Sequence, residues 1–431
     1  MPPEPTPAGT LFTGVRLLDP ASGLDRMGEL LVRDGVIADL GPALGRPDGV
    51  VVVDGDGAVL CPGLVDMRVE LGEPGYEFRE TIASAAEAAA AGGITTVAAL
   101  PNSQPAIDDP ALVRLLRGRG EETGSLSIVP YGAVTRGCRG EEMAELGLLA
   151  EAGAVAFTDG NRAIGPARLM RLALSYARGF GRMILQHPED ASLSSGGAAT
   201  EGELATRLGL PGIPAAAEAI QVARDISLAR LTGGAVHFAH VSTSAALDLI
   251  RAAKQEGLAV TCDTAPPYFD LNETAIGDFR TYAKLSPPLR RDEDRQAVAA
   301  ALADGTIDAV ASDHQPRDAD DKRQPFAQAA TGGSGLATLL GVTLAQVHNG
   351  TLGLARAISL LTARPATLLG LDAGRLVSGA AADLCLFHPE RSWRVTAGDL
   401  PGKAQNTPFD GRPLEGMVLG TWKAGRRVFG G

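Results

Sequence analysis

The sequence predicts an α/β fold: a (β/α)8 TIM barrel with a small β-domain built from both termini. Three observations lead to this prediction. Strand-like runs broken by turns fill the start of the chain, strand and helix patterns alternate from Leu64 onwards, and strand patterns return after about residue 372. We therefore expect residues 1–58 and 372–431 to form the small β-domain and residues 59–371 to form the barrel.

The small β-domain is predicted from short apolar runs at both ends of the chain. Asp34-Gly35 separates two of these runs and is a strong hairpin signal. The predicted strands are 9–18, 28–33, 36–40, 50–53, 382–387, 393–395, 416–423 and 428–429. Because they occur on both sides of the barrel region, the two termini are expected to pair in one domain.

The barrel is predicted from eight short apolar runs, most of them followed by a helical pattern. These runs are 64–71, 94–100, 126–134, 154–159, 183–187, 235–240, 259–263 and 307–313. Asp109 before Pro110 is a good helix start, with an N-cap followed by proline at the first helical position. Eight such strands favour a closed parallel barrel, since doubly wound sheets usually have fewer. The polar, glycine-rich segment 315–335 follows the last strand, and we expect a mobile loop over the barrel mouth.

Composition limits the class of protein. The 431 residues are 45% hydrophobic and 21% charged, with a formal net charge of -12, so we expect a soluble globular chain with no nucleic-acid surface. The N-terminal residues MPPEPTPAGT resemble no signal peptide, and no apolar stretch is long enough for a membrane span. The four cysteines are scattered, so disulfides and zinc knuckles are not expected, and the cytoplasm is the expected compartment.

Polar side chains end most of the predicted barrel strands. They are Arg68, Glu70, Asn102, Asp159, His187, His240, Asp313 and His314. Active sites of such barrels form at the carboxyl ends of the strands, so these side chains are expected to converge on one mouth.

Two histidines and an aspartate from separate strands suit a divalent metal such as zinc, because zinc binds imidazole nitrogen and carboxylate oxygen together. Asp159, His187 and His240 are therefore the candidate metal ligands, and Asp313 could accept a proton from metal-bound water. The alternative for any single histidine is a hydrogen-bonded core or surface imidazole. His237 points to the other side of its strand from His240 and is interpreted as structural.

Several motifs resemble the dihydroorotase family of the amidohydrolase superfamily, in order and spacing, nearly end to end. They are Pro62-Gly-Leu-Val-Asp-Met-Arg-Val-Glu-Leu-Gly-Glu-Pro-Gly75, Gly93-Ile-Thr-Thr-Val with Pro101-Asn102, Phe157-Thr-Asp159-Gly, His187-Pro-Glu-Asp190, His240-Val-Ser-Thr243, Lys284-Leu-Ser-Pro-Pro-Leu-Arg290, Ser312-Asp-His-Gln-Pro316 and Asn406-Thr-Pro-Phe-Asp-Gly411. The resemblance implies an amidohydrolase-type barrel, hydrolysis or formation of the cyclic amide of dihydroorotate in pyrimidine synthesis, and a centre of one or two zinc ions.

The chain departs from the family pattern at its metal positions. Where the resemblance implies His-x-His on the first strand, this chain has Arg68-Val-Glu70. No lysine lies between Asn102 and His187, so a carbamylated bridging lysine is excluded and Asp159 is the candidate bridge. One zinc ion or none is therefore expected, and a dinuclear centre is not.

The substrate positions depart as well. The arginine that clamps the substrate carboxylate in the family is Gly72 here, and the asparagine expected before Pro-Pro is Ser286. Asn102 and His314 match the family and are the remaining candidate substrate contacts.

Two hypotheses of different classes stay open. In the first, Arg68 places a fixed cation where a metal would lie, paired with Asp159, Asp313 or Glu70, and hydrolysis is lost. Such a chain resembles the non-catalytic dihydroorotase-like subunits that act as structural partners of aspartate transcarbamoylase. In the second, one zinc on the three candidate ligands and Asp313 as general base support hydrolysis of dihydroorotate or another cyclic amide. The resemblance also implies a homo-oligomer, most simply a dimer.

Overall fold

The structure is a computed structural model that describes residues 9–430. Residues 1–8, on which the expected lack of a signal peptide largely depends, lie outside the described residues, as does Gly431. The strands, in chain order, are β1 (Gly9–Asp19), β2 (Leu24–Arg33), β3 (Val36–Gly41), β4 (Val50–Asp54), β5 (Val59–Pro62), β6 (Leu64–Val69), β7 (Ile94–Ala99), β8 (Ser127–Pro130), β9 (Gly132–Ala133), β10 (Phe157–Thr158), β11 (Ile184–Gln186), β12 (Ala199–Thr200), β13 (Gly212–Ile213), β14 (Val236–Phe238), β15 (Val260–Thr264), β16 (Ala309–Val310), β17 (Leu384–Arg394), β18 (Pro413–Lys423) and β19 (Arg426–Phe429).

The α-helices alternate with the barrel strands and then continue beyond the last of them. They are α1 (Ile82–Ala91), α2 (Pro110–Thr123), α3 (Leu146–Ala152), α4 (Ala167–Arg178), α5 (Ala191–Ser194), α6 (Glu203–Leu208), α7 (Ala216–Thr232), α8 (Ser244–Gln255), α9 (Pro266–Asp270), α10 (Asp292–Asp304), α11 (Ala319–Lys322), α12 (Leu339–His348), α13 (Leu354–Leu361) and α14 (Ala363–Leu369). Within residues 9–430, no helix combines the length and the apolar character that crossing a membrane requires.

A side-chain cap begins α2 where the sequence predicts it, and a second begins α1. The Asp109 side chain accepts a hydrogen bond from the backbone N–H of Ala111, and Pro110 is the first residue of α2. Thr81 caps α1 in a reciprocal arrangement with Ser84. Such caps satisfy N–H groups that have no partner inside the helix, so they define where a helix starts.

Eight parallel strands form the barrel, as predicted. Hydrogen bonding runs through β6, β7 and β8 and through β9, β10, β11, β14, β15 and β16, with β8 and β9 separated only by Tyr131. The barrel closes where Val69 bridges His314 and the Glu70 backbone N–H donates to the His314 carbonyl at 2.9 Å. Most strands are shorter than predicted. This bridge brings the end of the first barrel strand, β6, directly beside the residues that follow the last barrel strand, β16.

The small β-domain is one sheet to which both ends of the chain contribute. Its strand order is β19-β18-β17-β5-β1-β2-β3, with β4 beside β1. The predicted hairpin at Asp34-Gly35 joins β2 to β3. β5 pairs with β17 and belongs to this sheet, so the boundary predicted after residue 58 is too early by one strand. Only Gly63 separates β5 from β6, and the Pro62-Gly63 dipeptide is the turn signal that marks the change of domain.

Candidate functional site

The barrel mouth gathers the charged side chains that the sequence places at the strand ends. Arg68 lies on β6, and Asp159, His187, His240 and Asp313 follow β10, β11, β14 and β16. All five are buried. His240 and Asp313 have positive φ angles of 41° and 50°, which few non-glycine residues adopt and which often occur at functional sites. The predicted convergence at one mouth is therefore present.

Arg68 crosses the mouth and pairs with one carboxylate. Its Nε donates to Oδ1 of Asp313 at 2.8 Å, and its Nη2 donates to the Gly160 carbonyl at 3.1 Å and to Oδ1 of Asn161 at 2.5 Å. Its Nη1 is buried and has no hydrogen-bond partner within residues 9–430. Of the three partners that the sequence left open for Arg68, the structure has Asp313.

Asp159 is turned away from the guanidinium. Both of its carboxylate oxygens accept hydrogen bonds from Thr135, one from the backbone N–H at 2.9 Å and one from the hydroxyl at 2.5 Å. Burial raises the pKa of Asp159 to about 6, although the bonds from Thr135 oppose this rise. The carboxylate is thus anchored to the loop after β9.

The two histidines and Asp313 form a hydrogen-bonded chain. Nδ1 of His187 lies 2.8 Å from Nε2 of His240, and Nδ1 of His240 lies 3.3 Å from Oδ2 of Asp313. Burial, together with His240 and Arg68, holds the pKa of His187 well below its usual range. Burial opposes ionisation of Asp313, but His240 and Arg68 hold the pKa of its carboxyl well below the usual range. Asp313 is therefore ionised and a weak proton acceptor.

Glu70 does not face Arg68 and has its own partners. Its carboxylate accepts from Nδ2 of Asn102 at 2.8 Å and from the side-chain amide of Asn161, and it forms an ion pair of 2.6 Å with Arg317. Burial opposes ionisation, but Arg317 and Asn102 hold the pKa of Glu70 below its usual range. Arg68 and Glu70 stand where the family has histidines on the first strand. Both are charged, and each has a partner of opposite charge: Asp313 beside Arg68 and Arg317 beside Glu70.

The segment 315–335 covers the mouth and is held there by buried contacts. Besides its ion pair with Glu70, Arg317 donates from Nε to the Thr331 carbonyl at 2.8 Å. The Lys322 ammonium donates to three backbone carbonyls, and burial lowers its pKa to about 7. These contacts favour a fixed cover instead of the mobile loop that the sequence predicts, because their polar groups are shielded from water.

Gly72 has a conformation that excludes the family's clamp arginine. Its φ is 75°, and a Cβ added to it would lie 2.1 Å from the carbonyl oxygen of Glu80. Any side chain here therefore requires the backbone to move. Gly72, Arg79 and Asn102 line a small cavity that also contacts Glu70.

The other residues predicted to contact a substrate differ in whether they face this cavity. Asn102 faces it, but its side-chain amide already donates a hydrogen bond to Glu70. Nδ1 of His314 accepts from the Gly335 N–H at 3.3 Å, and its Nε2 lies 3.7 Å from Glu80. Ser286 is half-buried and has no side-chain hydrogen bond within the described part of the chain. His237, interpreted as structural, is buried between Thr261 and Asp263.

Three residues of the site were missed in the sequence: Thr135, Asn161 and Arg317. Asn161 follows Asp159 by two positions, so its distance from the strand end was an available signal. Arg317 follows Asp313 by four positions and was the nearest cation after the last barrel strand. Thr135 offered no comparable signal, since threonine is common at strand ends.

Comparison with known proteins gives the family. The sequence model of the family described as dihydro-orotase-like matches residues 57–246. A dihydroorotase of Pelobacter propionicus is 45% identical over 419 residues, covering 97% of this chain and 99% of the relative. A dihydroorotase of Syntrophus aciditrophicus is 43% identical over 420 residues, with the same coverage of each chain. The chain belongs to the dihydroorotase family.

Solved structures agree on the fold of this dihydroorotase family member. The L-hydantoinase (dihydropyrimidinase) of Arthrobacter aurescens superimposes with a TM-score of 0.87 at 24% identity, covering 98% of this chain and 96% of that one. The dihydropyrimidinase of Brevibacillus agri gives a TM-score of 0.84 at 21% identity, covering 98% and 95%. The amidohydrolase-type barrel and the family resemblance that the sequence predicts are thus confirmed.

The site of this dihydroorotase family member does not fit a two-zinc centre. A guanidinium stays protonated in proteins, and here it is bonded to the carboxylate of Asp313. A second divalent cation beside this permanent charge would be repelled in a region of low dielectric. The expectation that no dinuclear centre forms has this physical basis.

The predicted one-zinc ligand set remains a prediction. Among residues 9–430, no three His, Cys, Asp or Glu side chains are arranged to hold a metal ion. Asp159 faces Thr135, whereas His187 and His240 bond to each other through Nδ1 and Nε2. Zinc needs a free lone pair from each ligand at about 2.0–2.1 Å, so a zinc ion bound through Nδ1 of His187 and Nε2 of His240 requires the hydrogen bond between them to break.

Proposed function

We propose that this dihydroorotase family member is catalytically impaired and acts in pyrimidine biosynthesis as a structural partner of aspartate transcarbamoylase. The observation that carries the proposal is the buried ion pair between Arg68 and Asp313. The guanidinium of Arg68 balances the negative charge of the buried Asp313 carboxylate, so the fold needs no metal ion to neutralise that carboxylate.

Loss of hydrolysis follows from the state of the general base. A catalytic base works best when its pKa lies near the working pH. The pKa of Asp313 is held well below its usual range, and Arg68 occupies one of its oxygens. Asp313 therefore gains little by accepting a proton from water.

Poor binding of dihydroorotate follows from the substrate positions. Gly72 has no room for a side chain, so a bidentate clamp on the substrate carboxylate is missing. Asn102 is already bonded to Glu70. Losing groups that position the substrate reduces turnover even where binding persists. The partnership with aspartate transcarbamoylase rests on the resemblance to subunits that lack the first-strand histidines.

The second candidate is an active one-zinc hydrolase of a cyclic amide. It is favoured by one observation: Asp159, His187 and His240 are all present and buried at the mouth. In this reading the zinc supplies a Lewis acid, and Asp313 acts as the base.

Metal content and turnover separate the two candidates. Protein purified without chelators is analysed for zinc by mass spectrometry and assayed with dihydroorotate, beside a matched His187→Ala variant. The proposal expects well under one zinc per chain in both proteins and no turnover. One zinc per chain that His187→Ala removes, together with turnover that the variant lacks, contradicts the proposal and supports the hydrolase.

The partnership has its own experiment. The full chain is mixed with the aspartate transcarbamoylase of the same organism and analysed by size-exclusion chromatography with light scattering. Co-elution as one larger species is the expected result, and separate elution at micromolar concentrations argues against a partnership.

Restoring histidines at the metal positions tests whether the rest of the site can still bind zinc. Arg68→His with Glu70→His restores two imidazoles, and zinc binding measured by calorimetry should rise above that of wild type. Gly72→Arg is left out, because its Cβ would collide with the Glu80 carbonyl.

A further inference from the structure

Two of the four cysteines lie side by side in the small β-domain. Cys61 on β5 and Cys385 on β17 are directly opposite each other in the antiparallel pairing of these strands. The whole barrel separates them in the chain, so their spacing in the sequence gives no sign of this pair. Both thiols are free and fully buried. Neither residue belongs to the barrel mouth or takes part in the proposed function.

The two thiols face the same side of the sheet. Residues opposite each other in an antiparallel pair point to one face. Both cysteines accordingly pack in the core that the sheet shares with the barrel, together with Val59 and Phe387, whereas Leu60 packs on the other face. The Cα atoms of such opposite residues are about 4.5–5.5 Å apart. A disulfide needs a Cα separation of about 4.4–6.8 Å, so the backbone spacing suits a bond between the two sulfurs.

The closed sheet protects both thiols from reaction. Burial raises the pKa of the Cys61 thiol well above its usual range, and the neighbouring Cys385 thiol raises it further. The reactive form of a cysteine is the thiolate, which is therefore scarce while β5 and β17 are paired. Oxidation of either thiol requires these strands to separate locally, because separation lets the thiols ionise and lets an oxidant reach them.

We propose that Cys61 and Cys385 are an oxidative modification site, at which a small-molecule disulfide converts the two thiols into one internal disulfide. One thiolate attacks a sulfur of glutathione disulfide, for example, and releases one glutathione thiolate, which leaves a mixed disulfide on the protein. The second thiolate attacks the protein sulfur of that mixed disulfide and releases the second glutathione. Two protein thiols are oxidised, one glutathione disulfide is reduced to two thiols, and the two protons pass through water to the released thiolates.

The first experiment detects the bond and its dependence on local opening. The full chain is incubated with glutathione disulfide, in buffer and in urea below the unfolding transition. Free thiols are then alkylated in denaturant, and the chain is digested without reduction and analysed by mass spectrometry. A linked peptide pair containing Cys61 and Cys385 is expected in wild type, and it should form faster in urea.

Two variants accompany wild type. Cys61→Ala should lack the linked peptide pair. Cys262→Ala is the matched control and should form it as wild type does, because Cys262 is also fully buried on a strand but lies opposite Phe238. The proposal is overturned if Cys61 and Cys385 both stay free in urea, or if each carries one glutathione without becoming linked.

The second experiment measures whether the bond fits the native sheet. It would close a loop that contains the whole barrel, and closing a long loop restricts the unfolded chain. The melting temperature of oxidised wild type should therefore exceed that of reduced wild type by about 5 °C, and a reductant should reverse the rise. Cys385→Ala, treated in the same way, should show no difference. An oxidised wild type that melts no higher than the reduced form contradicts a disulfide built into the folded sheet.

Discussion

At the scale of single residues, the two charges of the Arg68–Asp313 pair depend on each other. Arg68 is 1% exposed and Asp313 is 8% exposed, so neither has access to much water. Removing one member leaves the other as an unpaired charge in a region of low dielectric, whereas removing both leaves none. Replacing one member is therefore expected to lower the free energy of unfolding more than replacing both.

We expect Arg68→Met to lower the free energy of unfolding at pH 7 by about 3–5 kcal/mol, since it leaves the Asp313 carboxylate unpaired. Arg68→Met combined with Asp313→Leu should lose much less. Urea denaturation of both variants and wild type measures this difference. Arg323→Met is the control, because that arginine and its partner Asp320 are exposed and no measurable change is expected. Equal losses in the single and double variants would show that the two charges are not coupled.

The sequence predicted which residues meet at the mouth but not how they pair. Strand ends of a barrel converge, so Arg68 and Asp313 could be placed together from their positions alone. Which carboxylate the guanidinium takes depends on side-chain rotamers and on competing donors. Thr135 satisfies both oxygens of Asp159, and this left Asp313 as the partner of Arg68. No pattern in the sequence predicts which donor each of these carboxylates binds.

At the scale of elements, the half-buried Arg317 is one of several contacts that connect the segment 315–335 to the barrel. Arg317 bonds to Glu70 on the first-strand side and to the Thr331 carbonyl within the segment. It therefore joins the two ends of the cover to the rim. The rest of the segment includes α11 and the buried Lys322.

We expect Arg317→Met to loosen the cover without unfolding the barrel. Hydrogen–deuterium exchange measured by mass spectrometry should become faster in peptides spanning 315–335, because exchange reports local opening. Peptides from β7 and α2 should be unchanged. Arg323→Met in the same segment is the matched control, since its ion pair is exposed. If both variants exchange like wild type, Arg317 does not hold the segment.

Regular elements could be predicted from the chain, whereas the cover could not. Short apolar runs predicted all eight barrel strands and every strand of the terminal sheet except β5, because buried strands require apolar side chains. The segment 315–335 has no such run, and its polar composition favoured a mobile loop. Its order comes from contacts with residues distant in the chain, such as Glu70 and Thr281. Composition alone does not indicate which residues those partners are.

At the scale of the whole molecule, buried carboxyl groups give the stability a pH dependence. Burial raises the pKa of Asp66, Asp159 and Asp270 to about 6 in the folded chain. A carboxyl whose folded pKa lies above its unfolded value stabilises the fold most at low pH. Its contribution is full below the unfolded pKa and is lost as the pH rises through 6. Asp313, with a lowered pKa, contributes in the opposite sense, and its contribution is lost as the pH falls through its folded pKa.

Asp66 provides the test of this dependence. One of its oxygens accepts from the backbone N–H groups of Arg68 and Ser312, and the other has no partner within residues 9–430. We expect the stability of Asp66→Asn, relative to wild type, to rise by about 2 kcal/mol between pH 4 and pH 8. Urea unfolding at a series of pH values measures it. Asp320→Asn, at an exposed position, should follow wild type, and a flat difference for Asp66→Asn would refute the assigned cause.

The pairing of β5 with β17 has a consequence for how the chain is made. As the chain leaves the ribosome, the first five strands emerge early, but the neighbour of β5 emerges only after the entire barrel has been synthesised. Until then that strand has an open edge, which is a site for wrong pairing. The sheet is therefore completed last, and newly made chains are expected to depend on chaperones until translation ends.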